Sequence, residues 1–291
     1  MKKLILPLLY FVIISCNTNY GQLTPVTRLP KALTENSGIE VITRDSTLWA
    51  VNDSGNKNYI YKVGFNGDIF REIKIKHAEN IDWEELTKDD NNNLYIGDFG
   101  NNSNKRKDLT IYKIKNPDTV KGEQVKAEKI TFYYPEQKDF PPKKKHKYYD
   151  AEAFFYLDGY FYLFTKNHAN PFNGISFLYK IPAEKGHHKA ERIGEHVFYT
   201  DKDKCKVTAA AISPDKRTVA LLGHDRVWLF SGFENDNFFD APVQETIELH
   251  HSSQKEGLCF LDDDTLLISD EQNSTSGRNL YRIELNAVNK D

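Results

Sequence analysis

Short runs of apolar, aromatic and β-branched residues, broken by clusters of Asn, Asp, Gly and Pro, recur from Ser37 to Ile283. Runs of this kind read as strands, and their punctuation reads as turns. A first unit holds strands over 37–42, 48–53, 59–63 and 69–75, the last two joined by the hairpin signal Asn66-Gly67. A second opens at Asp82-Trp83-Glu84-Glu85-Leu86 and continues through 94–98, 109–114 and 128–133. The third runs through 150–155, 160–164, 177–181 and 197–199, the fourth through 207–212, 218–222, 226–230 and 245–249. The fifth has strands over 255–260, 265–270 and 279–283, where a fourth is missing. No long stretch has the 3.6-residue period of an amphipathic helix.

The units start near Ser37, Glu84, Glu152, Thr208 and Glu256, at spacings of 47, 68, 56 and 48 residues. Four strands repeated at roughly 40–50 residues predict an all-β propeller of four-stranded blades. Five blades are expected, or six if the long second gap hides a degenerate unit; a β-sandwich would not need the period. That gap contains Pro135, Pro141, Pro142 and the basic run Lys143-Lys144-Lys145, which together predict an exposed loop. The spare strand at 24–29 supplies what the fifth unit lacks. Pairing the two would close the ring and remove an open sheet edge.

Composition adds little to this picture. The 291 residues carry 39 Lys+Arg against 42 Asp+Glu, a formal charge of −3, which gives no sign of a nucleic-acid partner. The N-terminus changes the picture more. Lys2 and Lys3 precede an apolar run from Leu4 to Ile14, too short to span a bilayer and typical of a secretory signal. Ser15-Cys16 follows, then Asn17-Thr18-Asn19. This resembles a bacterial lipobox, with Ile14 standing where small residues are commoner. The resemblance implies lipidation at Cys16, a tether over 17–22 and a single domain over 23–291, held at a membrane of the cell envelope outside the cytoplasm. Cys205 and Cys259 are then the remaining thiols; Cys259 lies in an apolar strand, where Cys acts as a small hydrophobe, and a disulfide between them is the minor expectation.

The phrases Ser37-Gly38-Ile39-Glu40, Asn52-Asp53-Ser54-Gly55, Asp82-Trp83-Glu84-Glu85 and Gly97-Asp98-Phe99-Gly100-Asn101-Asn102 resemble a group of uncharacterised exported bacterial β-propeller proteins. They are similar, more distantly, to the phytase-like esterase propellers. That group implies calcium held by carboxylates around the central channel, but no residue set of this chain matches a defined catalytic motif.

Candidate chemistry follows from repeat position. Glu84, Glu152 and Glu256 each open the first strand of a unit, where Ser37 and Thr208 stand in the other two. First strands line a propeller's channel, so these positions would form a ring at one mouth. A second set follows the second strands: Asn52 and Asp53, Asp98, Thr165 and Lys166, Gly223 and His224, Asp270 and Glu271. Clustered carboxylates suit a hard cation such as calcium; crowded ones also suit acid/base work; equally, they can hydrogen-bond backbone amides and only hold the ring together. The expected ligand site is Glu84, Glu152, Glu256, Lys166, Asp98 and Asp270, with the three glutamates as metal ligands. The leading expectation is a lipid-anchored binding or scaffold module for a small-molecule or protein ligand. Its rival is a calcium-dependent phosphoesterase using Lys166, Lys255, His168 or His224 on phosphate at the same mouth.

Several tempting features carry less. Asp89–Asn93 and Asp262–Asp264 fall in strand-to-strand turns, where Asn and Asp are favoured without a metal. His187-His188 and His250-His251 point to opposite faces if extended. Tyr148-Tyr149 with Lys143–Lys147 could rim an entrance. No Gly-x-Ser-x-Gly elbow, phosphate loop or dinucleotide fingerprint is present.

Overall fold

A computed structural model describes residues 19–198, 206–274 and 276–288. Cys16, the signal segment before it and Cys205 lie outside the described residues, so the lipidation and disulfide expectations are not addressed by it. Cys259 is buried in its strand.

Five sheets, each with four antiparallel strands, stand in a ring. Their innermost strands are Asn36–Glu40, Trp83–Lys88, Asp150–Leu157, Ala209–Ile212 and Lys255–Asp262, and each touches its neighbours in cyclic order. The inner strands are largely buried, because each faces a neighbouring blade on both sides. Outer strands alternate instead: Ile69–Lys76 buries Ile73 and Ile75 and exposes Phe70 and Lys74. Apolar side chains gather in five clusters, one at each blade junction. The ring is therefore held by packing between sheets rather than within one central core. Only short 3-10 turns interrupt the strands, and no helix among the described residues is long and apolar enough to cross a membrane.

The N-terminal strand closes the circle. Thr24–Arg28 pairs antiparallel with Asn279–Glu284 and becomes the outer strand of blade 5. The junction continues past the strand: Leu29 N donates to Arg278 O at 2.6 Å, and the Arg278 guanidinium donates back to Leu29 O at 2.9 Å.

Blades 1 and 2 each have a fifth, parallel outer strand that the sequence pattern did not reveal. Gln124–Lys126, from the blade 2 excursion, lies along Lys74–Lys76, and His187–Lys189, from blade 3, lies along Thr131–Tyr133. Both are three residues long and mostly polar, too short for a period to register. Each covers a blade edge that would otherwise be open. The fourth strand of blade 3 also differs from expectation, running over Glu191–Val197 rather than 197–199. Its face is half-polar and it pairs with Ile175–Lys180, so register against that strand, not local hydrophobicity, sets its position.

Candidate metal-binding mouth

Four of the five inner strands begin with a register shift, and the skipped residues are Ser37, Glu84, Glu152 and Glu256. A bulge re-aims the side chain it displaces. Here it does so at the same repeat position each time, which turns a sequence coincidence into a ring. Thr208 holds the place in blade 4 without a bulge. The two hydroxyl residues act as latches: Ser37 Oγ donates to Trp83 O at 2.8 Å, and Thr208 Oγ1 to Lys255 O at 2.7 Å. Each reaches the residue just before the glutamate of the next blade.

The three glutamates converge, together with Lys166. Burial raises the Glu84 and Glu256 carboxyls well above the usual range, and the charge of Glu152 raises both further. Glu152 itself is pushed up to about 7 by burial, against the pull of the Lys166 ammonium bonded to its Oε1. Burial alone would lower Lys166, but Glu152, Glu256, Asp150 and Glu84 around it hold its proton on. The other oxygen of Glu152, Oε2, is buried with no hydrogen-bond partner.

A second tier comes from residues that follow the second strands. Asp53, Lys166, His224 and Glu271 occupy equivalent places and face the same mouth. Asp53 and Asp82 share a hydrogen bond between carboxyl groups, and so do Glu256 and Glu271. Burial lifts Asp82 and Glu271 to about 7, with neighbouring carboxylates adding to the rise. Asp98 and Asp270 are also buried, but their oxygens serve the loops. Asp98 takes the Asp82 amide at 3.0 Å and pairs with Arg106 at 3.0 Å, while Asp270 takes the Asn279 amide at 2.7 Å and the Tyr281 hydroxyl at 2.9 Å.

The tightest group is Asp53, Asp82 and Glu84, each offering one oxygen, all within 4.8 Å of one another. Calcium–oxygen bonds of roughly 2.4 Å put opposed ligands about 4.8 Å apart, so this set fits such an ion. Gly100 makes the approach possible. A Cβ there would fall 1.9 Å from Glu84 Oε1 and 2.5 Å from the Asp82 carboxyl.

Three of the four groups suggested for phosphate, Lys166, His168 and Lys255, are engaged elsewhere. His168 Nε2 bonds Asp150 Oδ2 at 2.6 Å. Lys255 is enclosed by His224 O, His251 O, His251 Nδ1 and Ser253 Oγ, and burial lowers its ammonium to about 8. Burial, then Lys166, pushes the His224 imidazole down to about 4, so it is neutral.

Sequence reasoning passed over Asp82 and Asp150 as site residues, although a signal was present. Asp82-Trp83-Glu84 and Asp150-Ala151-Glu152 repeat one Asp-x-Glu pattern at the same repeat position. Asp89, by contrast, proves to be a turn residue, accepting the Asn91 and Asn93 amides at 2.9 Å.

No family model matches the sequence, and no curated protein is similar to it. Among solved structures, a catalytically inactive virginiamycin B lyase from Staphylococcus aureus, determined with quinupristin, is similar at 14% identity. The likeness covers 87% of this chain and 67% of that one, with a TM-score of 0.40.

Proposed function

We propose that this protein is a lipid-anchored β-propeller of the cell envelope, facing outside the cytoplasm, that binds calcium in its acidic mouth and presents it to a ligand. The anchor is the lipobox reading of Cys16. The site is Asp53, Asp82 and Glu84, with Glu152 and Glu256 alongside. The observation that supports it best is the convergence of the first three carboxyls within 4.8 Å, from two blades, in a space held open by Gly100. Like charges that close repel unless a cation or a shared proton intervenes.

A binding role is favoured over phosphate-ester hydrolysis because three of the four candidate phosphate contacts are already committed and the fourth, His224, is buried and neutral. Lys166 is neutralised by Glu152, His168 sits on Asp150, and Lys255 is enclosed by neutral acceptors. A soluble form lacking residues 1–16 provides the test. Calcium should raise its melting temperature, a chelator should reverse this, and phosphate esters should not turn over in either condition. Chelator-sensitive turnover would replace the binding role with catalysis. Incorporation of labelled fatty acid into wild type, lost in Cys16→Ser, tests the anchor separately.

A further inference from the structure

The opposite end of the ring holds a cavity of about 270 Å³, walled by residues from all five inner strands or the turns that follow them. Its place is explained by blade 4. Counting from the ring position of Thr208, Ala210 and Ala211 stand where blade 3 has Phe154 and Phe155. The alanine side chains leave space beside Val41, Phe155 and Phe260, and that space opens at the channel's second mouth.

Glu85 separates this cavity from the acidic mouth. It is fully buried inside the ring, where its Oε1 accepts the Leu86 amide at 2.9 Å and its Oε2 has no hydrogen-bond partner among the described residues. None of Asp53, Asp82 and Glu84 lines the cavity.

The charges around the cavity are nearly all spent. Lys88 Nζ pairs with Glu40 Oε1 at 2.9 Å and also donates to Val41 O. Lys216 pairs with Asp90 at 3.1 Å, and Asp89 is held by its own turn and by the Tyr95 hydroxyl. Arg44 remains: it lines the cavity, is exposed, and forms no ion pair among the described residues. The apolar part of the wall, Val41, Phe155, Ala210, Ala211 and Phe260, beside one unmatched guanidinium at the rim selects for an apolar body carrying one negative group. The volume, near the low end of ligand pockets at roughly 300 Å³, limits that body to a small one.

We propose that this cavity is a binding site for a small amphiphilic monoanion, a short apolar body ending in a single carboxylate, with the carboxylate on Arg44 and the body against Ala210 and Ala211. Hexanoate, hexanol and hexylamine are matched probes, followed by the amide signals of Ala210 and Ala211 in an NMR titration of the soluble protein. Hexanoate should shift those signals saturably. Hexanol should bind about tenfold more weakly, the weight of one charge-assisted hydrogen bond, and hexylamine more weakly still. Arg44→Gln should bring hexanoate to the level of hexanol. Ala211→Val should weaken both, and should be read only if its melting shows a folded protein; the Arg44 variant and the probe series decide the matter without it. Chelator should change nothing, because none of the calcium ligands lines this cavity. No saturable shift in wild type, or equal binding of acid and alcohol, would overturn the proposal.

Discussion

Asp53 and Asp82 reach each other from adjacent blades and share one hydrogen bond between their carboxyl groups. Such a bond requires a proton on one of the two. A cation can take that proton's place, and the two states respond oppositely to pH.

This gives a pH prediction. Asp82, Glu152 and Glu271 are each raised to about 7, above their unfolded values. The folded protein then binds more protons than the unfolded chain between the two sets of values. The resulting stabilisation is complete below the unfolded values, near pH 4, and is lost as pH rises through about 7. Without calcium, the melting temperature should fall from pH 5 to pH 8. Saturating calcium should flatten that fall, because it competes with the same protons. A metal-free protein whose stability is constant across this range would contradict the shared-proton picture.

Gly100→Ala should remove the calcium response without altering any charge. Its new methyl would occupy the place of Glu84 Oε1 and crowd Asp82. Calcium affinity should drop at least about tenfold, while the chelated variant stays folded; affinity equal to wild type would show that Glu84 is not a ligand.

The latch residues should matter to stability and not to calcium. Thr208→Val keeps the shape but leaves Lys255 O without the hydroxyl it accepts. The expected loss is about 1–2 kcal/mol, the cost of one buried unsatisfied acceptor. Denaturant unfolding of wild type and variant measures it, with calcium titration as the control that should not move.

Removing residues 1–29 should open blade 5. The deletion strips the outer strand and the buried side chains of Leu23 and Leu29, worth roughly 1.5–3 kcal/mol each. The truncated protein should melt lower and self-associate through the exposed edge of Asn279–Glu284. A monomer with unchanged melting would place ring closure elsewhere.

The fold was legible because a propeller repeats. Five units with one strand grammar, and a spare strand at 24–29 matching a vacancy at the far end, leave few other architectures. The ring of Glu84, Glu152 and Glu256 was legible for the same reason. What was not legible depended on contacts between units. Asp53 meets Asp82 only because the loop after one blade's second strand leans over the start of the next blade. The short edge strands Gln124–Lys126 and His187–Lys189 carry no pattern of their own, and take their form from the strand they lie against. The commitment of Asp98 and Asp270 to loop amides was hidden too, since a carboxylate at the mouth of a ring looks the same in sequence whether it faces inward or back into its own turn.

The central claim is that Asp53, Asp82 and Glu84 form a calcium site. Calorimetric titration of calcium into the chelated soluble protein near pH 7.5 tests it most directly, with Asp82→Asn alongside. Saturable binding with release of protons, lost or strongly weakened in the variant, is the predicted result. No heat of binding in wild type, or identical binding in Asp82→Asn, would contradict it.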